Sequence, residues 1–141
     1  MTNKGFKALL LSLSLSLFSS IAIAQDSLSQ ALTPTVSVSG DMTTEKFSQL
    51  MMQGFKSVIV NRPDQELGNK VSVNQLRDIA EAKKIGVIYQ PVVSGKINQT
   101  DIQEFAQYYN ELAKPILMVC KSGSRSASLY YQAKNQGLLH E

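Results

Sequence analysis

The amino-acid sequence predicts an α/β fold: a single domain with a parallel four-stranded sheet and helices on both of its faces. Three observations carry this. Short apolar, β-branched runs alternate four times with longer stretches of helical periodicity. Cap-type residues and glycines punctuate the boundaries between them. One run, Pro115 to Cys120, is apolar almost throughout, as a strand buried on both faces requires. Strands and helices that alternate in this way lie as parallel neighbours joined by right-handed crossovers.

Residues 1–24 stand outside the predicted domain. Lys4 and Lys7 make a positive start, Ala8 to Phe18 an apolar Leu/Ser core, and Ala22-Ile23-Ala24 a small-residue cleavage site. That is the pattern of a cleavable export signal, so a mature chain starting at Gln25 is expected in the periplasm or outside the cell. The apolar core is short and broken by serines, which argues against stable membrane insertion. All 11 acidic residues and all but two of the 14 basic ones follow Ala24, so 12 against 11 turns the net charge of +3 into +1. Without a basic stripe interleaved with aromatics, nucleic-acid binding has no support. The remaining 117 residues suit one domain with one modest core.

Residues 25–35 are polar and small and read as a tether; the domain is expected over residues 36–141. Val36 to Ser39 alternates as a short strand ending at Gly40. Thr43 or Thr44 caps a helix with Phe47, Leu50 and Met51 on one face, and Gly54 lies beyond its end. Phe55 to Val60 is the second strand and runs into the turn Asn61-Arg62-Pro63-Asp64. Ser72 and Gln75 form a capping box for a helix with Val73, Leu76, Ile79 and Ala80 inward and Gly86 as its stop. Val87 to Val92 is the third strand. A second capping box, Thr100 with Gln103, opens a helix whose apolar face is Ile102, Phe105, Ala106, Tyr109 and Leu112. The strand Pro115 to Cys120 follows, and then a helix from Ser126 to Gln136 that stops at Gly137.

Ligands of such sheets sit at the carboxyl ends of the strands, where the loops 61–66, 90–99 and 120–125 converge. The last of these carries the chemistry. Lys121-Ser122-Gly123-Ser124 links a buried strand to a helix N-terminus, so its amides and the helix dipole point at one spot and favour an anion. Cys120, the only cysteine, begins the loop, and Arg125 closes it. A helix N-terminus and a nearby Arg lower a thiol's pKa, which makes Cys120 a candidate nucleophile. No second cysteine exists to pair with or resolve it. No His/Cys/Asp/Glu group has metal-ligand spacing, and neither metal nor other cofactor is expected.

Cys120 to Ser126 resembles the loop of rhodanese-like sulfurtransferases, Cys-Arg-Ser-Gly-x-Arg-Ser, with Lys121 in place of the first Arg. Cysteine phosphatases carry a similar loop one residue longer. A closer resemblance covers Val36 to Leu139. Val38-Ser39-Gly40, Gly54 to Ile59, Asn61-Arg62-Pro63-Asp64, Pro91-Val92 with Gly95, and Cys120 to Ser126 together resemble the beta-lactamase hydrolase-like, phosphatase-like domain family. The resemblance implies a minimal cysteine-phosphatase-like fold, with Cys120 as nucleophile, Arg125 as anion clamp, and Lys121, Ser122, Gly123, Ser124 and Ser126 as the anion-binding loop. Two features depart from it: Val119 stands where many relatives have His, and the only histidine, His140, lies at the C-terminus.

A phosphate ester needs a general acid for its leaving oxygen. The loop 90–99 offers no Asp or Glu; Asp101 is the nearest carboxylate, in the first turn of a helix where an acid complements the dipole. Arg62 and Asp64 reach the rim, either to meet substrate or to brace the turn, and Lys96 and Lys121 add positive potential. The short loop and the missing acid favour an exported sulfurtransferase that forms a persulfide on Cys120, with a small sulfur donor and a thiol acceptor as partners. The alternatives are a phosphomonoesterase working through a phosphocysteine on a phosphorylated substrate, and a non-enzymatic oxyanion-binding or thiol-sensing module.

Overall fold

The computed structural model describes Ser14 and residues 27–141. Apart from Ser14, the expected export signal lies outside the described residues, as does Gln25. The elements run β1 (Gln30–Thr33), β2 (Val36–Ser39), α1 (Thr44–Leu50), β3 (Ser57–Val60), α2 (Val73–Glu81), β4 (Gly86–Tyr89), α3 (Gln99–Glu111), β5 (Ile116–Val119) and α4 (Ser124–Asn135).

The sheet has five strands in the order β1-β2-β5-β3-β4. The four expected strands are all mutually parallel, and the fifth, β1, pairs antiparallel with β2 at the edge. This corrects two expectations, a four-stranded sheet and a tether over 25–35. Gln30–Thr33 has no apolar alternation because an edge strand with two exposed residues needs none. Its place is fixed by backbone pairing and by Thr33, whose Oγ1 accepts from the amides of Thr35 and Val36 at 3.1 Å and closes the hairpin.

β5 is the central strand, and alternation divides its side chains between two cores. Ile116 and Met118 join Val36, Val38 and Ile59 under α3 and α4, packed against Phe105, Tyr109, Leu129 and Tyr130. Leu117 and Val119 join Val58 and Val60 on the opposite face, against Phe47, Leu50 and Leu76 of α1 and α2. Each of these large side chains contributes roughly 1.5–3 kcal/mol by leaving water.

The caps refine the boundaries. Thr43 caps α1, its Oγ1 accepting from the Lys46 amide, and Ser72 with Gln75 forms the expected box on α2. α2 does not run to Gly86. It ends at Ala82, Lys84 takes the left-handed turn with φ 58°, and Gly86 opens β4. The box on α3 is Asn98 with Asp101, two residues earlier than Thr100 with Gln103. α4 likewise starts two residues early, at Ser124. It ends as expected: Gly137 has φ 70° and the Leu138 amide reaches back to Ala133 O at 3.0 Å. Among the described residues no helix is long and apolar enough to cross a membrane.

Candidate functional site

Cys120 follows the last residue of β5 and is held there by its own amide, which donates to Ser39 O at 3.1 Å. The chain then turns back within three residues. Gly123 makes the turn possible with φ 87°, and a Cβ there would stand 3.3 Å from Val38 Cγ2. Its amide donates to Cys120 Sγ at 3.0 Å. Gly40 is a glycine for a different reason: a Cβ would meet Lys121 O at 3.0 Å and the Ser122 Cα at 3.1 Å. The loop after β2 thus lies flat against the cysteine loop, stitched by Asp41 N to Lys121 O at 2.8 Å.

The thiol is almost fully buried. Burial alone pushes its pKa up. Hydrogen bonding from the Ser126 hydroxyl and from the amides of Ser126, Ser122 and Gly123 outweighs burial and holds the thiol below its ordinary value. The leading contributions thus come from the loop and the start of α4.

Arg125 is turned to other partners. Nη1 and Nη2 form a fork on the two oxygens of Glu66 at 2.9 and 3.0 Å, and Nη1 also donates to Val92 O at 2.9 Å. Glu66 sits 3.3 Å from Arg62 Nε, and Arg62 Nη1 pairs with Asp41 at 3.0 Å. The Arg125 hydrogen bonds lead the causes that hold the Glu66 carboxyl below the usual range; burial opposes them, and the charges of Arg125, Arg62 and Lys121 add to them. Glu66 occupies one edge of the Arg125 guanidinium. The Nε–H, buried and without a partner among the described residues, lies on the other edge beside the second Nη2–H. That edge carries two donors of the kind that two oxygens of one anion accept.

The family model of the beta-lactamase hydrolase-like protein, phosphatase-like domain, matches residues 29–136. The chain belongs to this family. The match includes β1. Beta-lactamase hydrolase-like proteins of Xylella fastidiosa (strain Temecula1) and Agrobacterium fabrum (strain C58) are 32% and 33% identical over 97 and 95 residues. Each alignment covers 67% of this chain, which spans only 22% of those relatives. A solved structure of a candidate phosphatase from Neisseria meningitidis is 27% identical, with a TM-score of 0.66 over 72% of either chain. The catalytic core of a PP-IP phosphatase from S. cerevisiae, at 20% identity, shares the fold with a TM-score of 0.53 over 67% of this chain and 56% of its own.

Within this family member the other candidate residues fall into two groups. Lys121, Ser122 and Ser124 are exposed on the loop, with the two serine hydroxyls 2.7 Å apart, and Ser126 is buried beneath it. Arg62 and Asp64 are engaged with the fold around them. Arg62 is buried against Glu66, Asp41 and Leu67 O, and Asp64 Oδ1 accepts the Val73 amide at 2.8 Å, at the start of α2. Asp101 completes the Asn98 capping box, its Oδ2 accepting the Asn98 amide at 3.0 Å. Lys96 and His140 are exposed. Two residues that sequence reasoning passed over belong to the site. Glu66 stands four residues after Arg62, an ion-pair spacing that could have been noticed. Asn61 is fully buried, with its Oδ1 2.8 Å from Ser126 Oγ; a polar residue directly after the apolar run Val58 to Val60 was its signal.

Proposed function

We propose that the protein is a sulfurtransferase in which Cys120 carries a sulfane sulfur. The observation that carries this reading is the commitment of the neighbouring carboxylates: Asp64 holds the start of α2, Asp101 caps α3, and Glu66 is clamped by two arginines. All three are taken up in hydrogen bonds or ion pairs that hold the fold, and sulfite, the leaving group of thiosulfate, needs no proton to depart. The Cys120 thiolate attacks the outer sulfur of thiosulfate. The new S–S bond takes the place of the old one, sulfite leaves with its electron pair, and the persulfide anion remains. A thiolate acceptor then takes the outer sulfur and restores Cys120. The free edge of Arg125 fits the sulfonate oxygens, and the loop amides fit the negative charge on the persulfide.

Phosphomonoester hydrolysis is the second reading. The same guanidinium edge suits two phosphate oxygens, and the N. meningitidis neighbour is described as a candidate phosphatase. Intact-mass measurement after thiosulfate treatment, beside assays on aryl and alkyl phosphates, separates the two. One added sulfur, lost in Cys120→Ser and on incubation with a thiol, is the expected result. Phosphate release with no sulfur uptake would replace sulfur transfer by hydrolysis.

A further inference from the structure

Cys120 stands at the end of the central strand, and the sheet order β1-β2-β5-β3-β4 gives it two flanks. Arg125 belongs to one of them, since its partners Glu66 and Val92 O come from the loops after β3 and β4. The other flank, past β2, holds a polar cleft of about 330 Å³. Ser39 and Gly40 at the end of β2, Lys46 of α1 and Ser122 of the cysteine loop line it, together with the segment 27–30. Gly40 bridges to Ser122, and the amide of the next residue, Gly123, meets Cys120 Sγ at 3.0 Å. The cleft therefore opens one residue away from a group that touches the reacting sulfur.

Lys46 gives the cleft its charge. Its Nζ donates to the carbonyls of Asp41 and Gly40 at 3.0 and 3.4 Å, which ties the ammonium to the loop beside Ser122. An ammonium has three N–H donors, and the third has no acceptor among the described residues. The Asp41 carboxylate is turned to Arg62, with which it pairs at 3.0 Å. Burial leads the causes that hold the Lys46 pKa below its ordinary value, and the Asp41 charge offsets this in part. A cation that the fold compensates incompletely gains from an anion at its free N–H.

We propose that this cleft is a second anion subsite, in which Lys46 takes the carboxylate of a small thiol that accepts sulfur from Cys120. One free N–H and one positive charge suit a singly charged carboxylate. The subsite rests on the sulfurtransferase reading, and it separates the two partners: the donor's sulfonate lies at the Arg125 edge, the acceptor's carboxylate on the opposite flank. The acceptor thiol loses its proton to water, and its thiolate attacks the outer sulfur of the Cys120 persulfide. The bond from that sulfur to Sγ breaks, Cys120 keeps the electron pair as thiolate, and the acceptor leaves as a persulfide.

The test uses the full chain, loaded with thiosulfate and then freed of excess donor. Intact mass against time reads the loss of the added sulfur to 3-mercaptopropionate and to 3-mercaptopropionamide, close isosteres of different charge, in wild type, Lys46→Met and Lys46→Arg. The ratio of the carboxylate rate to the amide rate should fall about three- to tenfold in Lys46→Met and be retained in Lys46→Arg. Bracing of the loop by Lys46 alone would slow both thiols equally and leave the ratio where it is. A ratio that Lys46→Met leaves unchanged or raises overturns the proposal. Where thiosulfate adds no sulfur to wild type, the sulfurtransferase reading fails, and alkylation of Cys120 by 3-bromopropionate against 3-bromopropionamide decides the subsite, since an Sγ–C bond forms there as bromide leaves and no sulfur moves. The same dependence on Lys46 sustains a carboxylate subsite beside the thiol, and its absence overturns it.

Discussion

Replacing Glu66 by Gln tests the electrostatic centre of the site. The carboxylate accepts from Arg125 at 2.9 and 3.0 Å and stands 3.3 Å from Arg62 Nε, while the two arginine side chains are only 6% and 5% exposed. Removing one partner of a buried ion pair costs about 3–5 kcal/mol, because the other charge is left unpaired. Here the loss is smaller. Gln keeps an oxygen for one of the Arg125 bonds, Arg62 retains Asp41 and Leu67 O, and Glu66 is itself 21% exposed. The expected destabilisation at pH 7 is therefore roughly 2–3 kcal/mol. The pH dependence has a definite sign. The hydrogen bonds from Arg125 lead the causes that hold the folded pKa of Glu66 below its unfolded value, so its contribution is complete above the unfolded value of about 4.3 and fades as pH falls through the folded pKa. Urea unfolding followed by circular dichroism at pH 7 and at pH 3 should show the gap between wild type and Glu66→Gln shrinking at the lower pH. An equal gap at both values would refute the assignment of Glu66 as a charged counter-ion.

Other substitutions separate binding from architecture. Arg125→Lys keeps the charge but removes the two-pronged edge, and should weaken thiosulfate capture about 10- to 100-fold in single-turnover kinetics. Gly40→Ala drives a methyl group onto the backbone of Lys121 and Ser122; a loss of roughly 1–3 kcal/mol in thermal unfolding, with slower Cys120 alkylation from the displaced loop, is expected. Asp64→Ala should cost about 1 kcal/mol, since the Val73 amide at the start of α2 loses its acceptor, and should leave sulfur transfer within twofold of wild type. A large loss of turnover in Asp64→Ala at unchanged stability would return Asp64 to the chemistry.

The parallel strands and the cysteine loop were legible because their signals are local. Apolar β-branched runs, the Ser72 box and the Cys120-to-Arg125 spacing each lie within a few residues of chain. The misplaced features depend on partners far away or on competition between equal signals. β1 has no hydrophobic pattern of its own, and its pairing with β2 decides it. Asn98 and Thr100 both look like caps, and the one with Asp101 three residues on prevailed. Lys84 took the left-handed position expected of a glycine, since packing of Ile85 and Val87 against the α1–α2 core sets where α2 must stop.

The role of Arg125 shows how far spacing alone can mislead about a site. Position in the loop marks it as an anion ligand, and its uncommitted Nε–H is consistent with that. The same spacing suggests that it activates the thiol; the groups that lead in lowering the Cys120 pKa are the Ser126 hydroxyl and three amides, while Arg125 is paired with a residue 59 positions away in sequence. A neutralised clamp has a chemical advantage. A full positive charge held against the loop would bind the product sulfite or phosphate as tightly as the substrate, which lowers KM without raising kcat. Pairing with Glu66 leaves the directional fork and removes most of the net charge, so the site selects oxygen geometry over charge. Anion affinity should accordingly discriminate by shape: calorimetric titration of Cys120→Ser is expected to show sulfate and thiosulfate binding at least tenfold tighter than chloride or thiocyanate. Equal affinity for all four would mean that the loop reads charge alone and that the Arg125 edge is not engaged.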